Sequence, residues 1–166
     1  MELYLLPHGL ALSPAQDPEQ PLSRDGIDQI KAVAVVMKRL GLTIDTLIAS
    51  GEKRSRQSAA LIAEGINYPY SDIIESPLVA PAASKEDLET LLSRLQDRPS
   101  VLIAGHRPSL ALLGGMLLEA AGDRLQLESG AFGHWTLQSL QPLEARLRFW
   151  LTPAQIRLLA SGFNRS

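Results

Sequence analysis

The sequence predicts an α/β fold: a three-layer α/β/α sandwich whose mainly parallel, mixed sheet carries helices on both faces. Three observations point there. Short apolar runs at Leu3–Leu6, Thr46–Ala49 and Val101–Ala104 are each followed by a polar turn and then by a stretch of helical periodicity. The first and third, LYLL and VLIA, are almost unbroken in their apolar character, as expected of strands buried on both faces. Near the C-terminus, AFGHWTLQ and ARLRFWL alternate around Gln141-Pro142, which suits an antiparallel hairpin and gives the sheet a mixed edge.

The elements follow in order. After the first strand comes a polar, proline-rich loop, Ser13 to Pro21. SRDGIDQIKAVAVVMKRLG is then an amphipathic helix: Ser23 is its cap, Ile27, Ile30, Ala34, Met37 and Leu40 fall on one face, and Gly41 ends it. The second strand leads through Ser50-Gly51 into a helix containing RSRQSAALIAEGI. Residues 67–83 hold three prolines and little periodicity, which predicts a loop. In SKEDLETLLSRLQ, Ser84 and Asp87 form the outline of a capping box ahead of the stripe Leu88, Leu91, Leu92 and Leu95. The third strand ends at Gly105-His106-Arg107-Pro108, and a helix is expected from Pro108 to about Ala121, with proline in its first turn. Thr152-Pro153 opens a short final helix.

Composition narrows the function. The 166 residues, 45% hydrophobic and 20% charged, suit one domain spanning 1–166. A net charge of -2 supplies no general field for nucleic acid or an anionic membrane. The absence of cysteine removes disulfides, thiol nucleophiles and thiolate-bound metals together. Charges and glycines interrupt the candidate helices, so no membrane span is expected, and Met1-Glu2 runs straight into a strand without the basic start of a signal peptide. A cytoplasmic protein is the expectation.

In such sheets ligands bind beyond the carboxyl ends of the strands. Three strands deliver polar groups there: the first ends at His8-Gly9, the second leads through Ser50 to Arg54, and the third ends at Gly105-His106-Arg107. Each of these histidines follows an apolar strand and adjoins a glycine, a placement that favours function. His134 lies inside an alternating strand and reads as structural, while Lys53 and Arg56 serve equally well as solvated helix charges. Three scattered histidines have no metal-ligand spacing. The chain has neither a G-x-S-x-G elbow nor a G-x-x-x-x-G-K-[ST] loop. What remains is a histidine nucleophile aimed at a phosphoryl group held by arginine, with no cofactor and no metal.

At this point the motifs resemble a known family. LYLLPHGLA resembles the opening strand and R-H-G motif of the histidine phosphatase superfamily, and PLSRDG resembles its P-L-T-x-x-G helix start. SGEKRSRQS resembles S-P-x-x-R-A-x-Q-T, AGHRPSL resembles the second G-H-x-P motif, and FWLTPAQ resembles the family's ending. The likeness spans the chain and is strongest to the short SixA-type phosphohistidine phosphatases, which have a phosphoglycerate mutase-like fold. It implies that His8 is the nucleophile, forming a transient phosphohistidine through Nε2. It implies that Gly9 lets the backbone approach the phosphate, that Arg54 grips phosphoryl oxygens, and that His106, when protonated, is a second positive donor. It implies a phosphorylated protein as substrate, since the short stretch between the second strand's helix and the third strand leaves little room for a lid.

Two departures stand out. Pro7 occupies the place of the motif arginine and supplies neither charge nor backbone N–H, while Gly51 replaces a proline. Arg107, where the family often has a neutral residue, is the candidate to replace the lost arginine as a phosphate-binding group. Glu52 and Glu75 are proton-donor candidates by location alone, and the SixA-type branch resembles this chain in lacking an obvious one. Two functions follow: a phosphohistidine phosphatase with a rearranged pocket, or a catalytically silent relative that binds a phosphorylated partner. A sugar-phosphate mutase stands third, because nothing resembles its carboxylate or lid.

Overall fold

The computed structural model describes residues 1–119 and 127–162, and the expected elements appear in the expected order with one addition. The strands are β1 (Glu2–Pro7), β2 (Thr46–Ala49), β3 (Ile74–Glu75), β4 (Ser100–Gly105), β5 (Phe132–Leu140) and β6 (Leu143–Leu151). The helices are α1 (Arg24–Arg39), α2 (Lys53–Ile66), α3 (Lys85–Arg94), α4 (Arg107–Leu117) and α5 (Pro153–Ser161). They form a six-stranded sheet in the order β3-β2-β4-β1-β5-β6. β1 to β4 run parallel, and the β5–β6 hairpin adds the antiparallel edge. This is the three-layer, mainly parallel mixed sheet that the sequence predicts.

Strand alternation divides the core in two. Leu3, Leu5, Ile48, Val101 and Ile103 face α3 and α4, where they meet Leu88, Leu91, Leu110 and Leu113. Tyr4, Leu6, Leu47, Leu102 and Ala104 face α1, α2 and α5, against Ile30, Met37, Ile62 and Ile156. Each fully buried large aliphatic side chain contributes about 1.5–3 kcal/mol relative to its exposed state.

Local sequence accounts for the helix ends. The Ser23 hydroxyl accepts from Gly26 N at 3.1 Å. At the far end Gly41 adopts φ +65°, Leu42 N donates to Met37 O and Gly41 N to Lys38 O, a paired closure that requires a left-handed residue at that point. Ser84 and Asp87 complete their capping box, as do Thr152 and Gln155.

The structure corrects the boundaries in two places. The stretch 67–83 is not wholly loop: Ile74–Glu75 pairs with β2 as a sheet edge, flanked by 3₁₀ turns at Tyr70–Asp72 and Pro77–Val79. A two-residue strand carries no periodicity for a sequence to display. The fourth helix begins at Arg107, one residue before the expected start, and ends at Leu117 with Leu118 as its cap, short of the expected Ala121, which itself lies outside the described residues. No helix among the described residues is long and apolar enough to cross a membrane.

A proline at the end of an interior strand needs an explanation. β5 pairs with β1 only as far as Leu5↔Gly133, so Pro7 lies past that ladder and its missing N–H breaks none of it. Its carbonyl still accepts from Gly130 N at 3.1 Å.

Beyond Pro7 the chain passes against the first turn of α1. A Cβ on Gly9 would sit 2.5 Å from Gly26 O and 3.0 Å from Ile30 Cγ1, the first of these being backbone that cannot rotate away. Gly9→Ala is therefore expected to destabilise the protein by roughly 1–3 kcal/mol in urea unfolding. Gly51→Ala, whose Cβ would meet only Glu75 Oε2 at 4.0 Å, is expected to stay within about 0.5 kcal/mol of the parent.

Candidate active site

Parallel pairing brings the predicted residues together. β4 lies between β2 and β1, with Pro7 opposite Gly105 and Ala49 opposite Ala104. The next residue on each strand is thus His8, His106 or Ser50, three neighbours along one sheet edge. The His8 and His106 rings meet edge to face with centroids 5.2 Å apart. Arg54, in the first turn of α2, reaches across so that its Nε–H donates to His8 Nε2 at 3.3 Å. Arg107, the first residue of α4, is exposed and closes another side. Together with Leu10, Pro14, Pro81 and Ser129 these four residues line a cavity of about 360 Å³.

The tautomer of His8 follows from its partners. Nδ1 lies 2.8 Å from Gly9 O, and a carbonyl can only accept, so Nδ1 carries the proton. Nε2 then presents a lone pair, in agreement with the N–H it receives from Arg54. Burial, partly offset by the bond to Gly9 and reinforced by Arg54 and Arg107, holds the His8 ring below the ordinary imidazole value. The ring is therefore neutral near pH 7 with Nε2 as its nucleophilic face.

His106 revises one expectation. It is pushed down to about 3 by burial first, then by His8 and Arg54, so in this arrangement it is neutral rather than a positive donor. Its Nε2 lies 2.6 Å from the Ser50 hydroxyl, and both residues are buried.

Gly9 is packed closely against α1. It is absent from the cavity wall, and the space where its side chain would stand is filled by Gly26 and Ile30 of α1. Its contribution is the carbonyl that fixes His8 and an N–H donated to Ser58 Oγ at 3.3 Å.

Pro7 is buried and falls, by strand alternation, with Leu3 and Leu5 on the side covered by α4. It does not line the cavity, whereas Arg107 does. Glu52 pairs with Arg54 Nη1 at 3.4 Å and Glu75 with Arg56 Nη1 at 3.7 Å; neither carboxylate lines the cavity. Lys53 pairs with Glu19. His134, read as structural, bonds Glu2 and stacks on Tyr4 at 4.5 Å, away from the site. Among the described residues no group of three or more His, Asp or Glu side chains is placed to hold a metal ion.

Three serines escaped the sequence analysis as functional groups. Ser50 N donates to Ser55 Oγ at 3.0 Å, and the Ser55 hydroxyl donates to Ala104 O at 2.8 Å, tying α2 to β4. Ser58 accepts from Gly9 and donates to Arg54 O. The one signal for them was position, since all lie within SGEKRSRQS.

The low proton affinity of His106 has a consequence for stability. Its ordinary value of 6.5 applies to the unfolded chain and about 3 to the folded one, so the unfolded state binds more protons between them. Stability is therefore expected to fall as pH drops from about 6.5 toward 3. Urea midpoints measured across that range should decline less steeply for His106→Asn than for the parent.

Comparison with known proteins gives a consistent fold. No family model matches the chain. An uncharacterised protein of Picosynechococcus sp. strain PCC 7002 is 30% identical over 115 residues, which cover 66% of this chain and 68% of that one. Among solved structures, the protein histidine phosphatase SixA complexed with tungstate superposes with a TM-score of 0.81 at 23% identity, covering 93% of this chain and 98% of that one. The alpha-ribazole phosphatase of Shigella flexneri follows at 0.74 and 16%, covering 92% and 97%. A mycobacterial glucosyl-3-phosphoglycerate phosphatase bound to VO3 gives 0.74 and 14%, covering 91% and 98%.

Proposed function

We propose, for a chain that belongs to one family with the Picosynechococcus protein and is built on the phosphoglycerate mutase-like fold of the histidine phosphatases, that it hydrolyses phosphohistidine in proteins. The observation that carries this is the His8 ring: its Nδ1–H is committed to Gly9 O, and its Nε2 lone pair faces Arg54 within the cavity.

The chemistry runs in two displacements. Arg54 transfers its N–H from His8 Nε2 to the phosphoryl oxygens of the substrate, which uncovers the lone pair and places a planar cation on the transferring group. Nε2 forms a bond to phosphorus while the P–N bond to the substrate imidazole breaks, and that imidazole takes its proton from solvent. Water then attacks the phosphorus of phospho-His8, releasing inorganic phosphate and restoring the ring. His106 donates an N–H to the phosphoryl oxygens through both steps.

Among the described residues no carboxylate lines the cavity, which supports a leaving group that departs without a general acid. An imidazole or an aryl oxide meets that condition; an alkoxide does not. The apolar wall of Leu10, Pro14, Pro81 and Pro108 suits a flat ring displayed on a protein surface. Arg107 takes the part of the cation missing at Pro7, approaching from the side of the sheet on which Pro7 itself lies. With cytoplasmic placement, the partner is a phosphorylated protein, and neither nucleic acid nor membrane enters the reaction.

Pro7 also favours a second reading, a silent relative that binds a phosphorylated protein without turning it over. Phosphate release from a phosphohistidine-bearing protein and from an aryl phosphate separates the two. For the phosphatase, both substrates turn over, an alkyl phosphate does not, and His8→Ala abolishes release. Arg107→Ala is expected to lower kcat/KM by about 10²–10³, the loss typical of one transition-state donor. Release by Pro7→Arg alone, with none by the parent, would establish the silent relative instead.

A further inference from the structure

We infer that Ser50 is a positioning residue that sets the tautomer of His106, holding Nε2 unprotonated and leaving the ring's N–H on Nδ1 for the cavity. A buried chain of hydrogen bonds fixes where each proton sits. Ser50 and Ser55 are fully buried. The Ser55 hydroxyl has its direction decided, because it accepts from Ser50 N and must donate to the Ala104 carbonyl. Ser50 Oγ accepts the N–H of Glu52 at 3.4 Å, and its own proton needs an acceptor.

Among the described residues the one acceptor in reach is His106 Nε2, at 2.6 Å. A protonated Nε2 would set two donors against each other and leave the serine proton unsatisfied in a buried place. Ser50 therefore donates, Nε2 accepts, and the single N–H of the neutral ring sits on Nδ1. That atom has no hydrogen-bond partner among the described residues and is not a buried unsatisfied atom, while His106 lines the cavity. The outcome is a ring that offers a phosphoryl oxygen a directed N–H without carrying a charge beside Arg54.

The tautomer stands on geometry alone, and only its catalytic consequence rests on the phosphatase proposal. Nitrogen-15 NMR of the imidazole rings tests it, with His8 and His134 identified by substitution and Ser50→Ala and Ser50→Thr compared with the parent. The parent is expected to show His106 protonated on Nδ1, Ser50→Thr to retain that state, and Ser50→Ala to move toward Nε2–H or a mixture. An Nε2–H ring in the parent, or an unchanged Nδ1–H ring in Ser50→Ala, would overturn the inference. Should Ser50→Ala fail to fold, the parent and Ser50→Thr spectra decide the matter.

Kinetics form a separate arm. With a phosphohistidine protein, Ser50→Ala is expected to lose about tenfold in kcat/KM, short of the about 10²–10³ for a lost donor itself, and Ser50→Thr to recover it. A parent with the expected tautomer and no turnover would refute the phosphatase proposal while leaving the role of Ser50 intact.

Discussion

The parallel pairing of β1 with β4 is the constraint on which the site depends. Pro7 stands opposite Gly105, so the two histidines leave the sheet side by side and at the same height. A slip of one residue would send one of the rings to the opposite face. That register is held by apolar packing on both faces: Leu3, Leu5, Val101 and Ile103 against α3 and α4, and Tyr4, Leu6, Leu102 and Ala104 against α1 and α2. Core packing thus sets the His8–His106 distance, well before any polar contact does.

Around that pair the polar groups are arranged to decide where protons sit. Gly9 O holds the His8 proton on Nδ1, and Ser50 takes the lone pair of His106. Burial keeps both rings neutral, which suits one as nucleophile and the other as hydrogen-bond donor. Among the described residues the positive charge of the cavity wall comes from arginine, from α2 and from the start of α4, and Glu52 and Glu75 are engaged outside that wall. Among the described residues the cavity wall is accordingly cationic and free of acidic side chains.

Pro7 fits the same picture. Past the end of the β5 ladder a proline costs the sheet no hydrogen bond, and the side-chain direction at position 7 leads toward α4 rather than into the cavity. Pro7 and Arg107, two residues after Gly105, its pairing partner, lie on one side of the sheet. That proximity is a spatial relation, and nothing in the linear order of residues 7 and 107 discloses it.

The layers, the order of elements and the candidate residues at the strand ends are legible in the amino-acid order. Apolar periodicity, caps such as Ser23 and Ser84, and glycines such as Gly41 are local properties that act within a few residues of where they are written. The tertiary structure alone decided what depends on distant parts of the chain. It placed Ile74–Glu75 as a sheet edge, because two residues carry no pattern and form a strand only where β2 offers its hydrogen bonds. It set Gly9 tightly against Gly26, and it made His106 neutral, because close approach and desolvation are set by neighbours brought in through folding. It gave Ser50 its partner, a histidine that the chain reaches only fifty-six residues later, across one strand pairing.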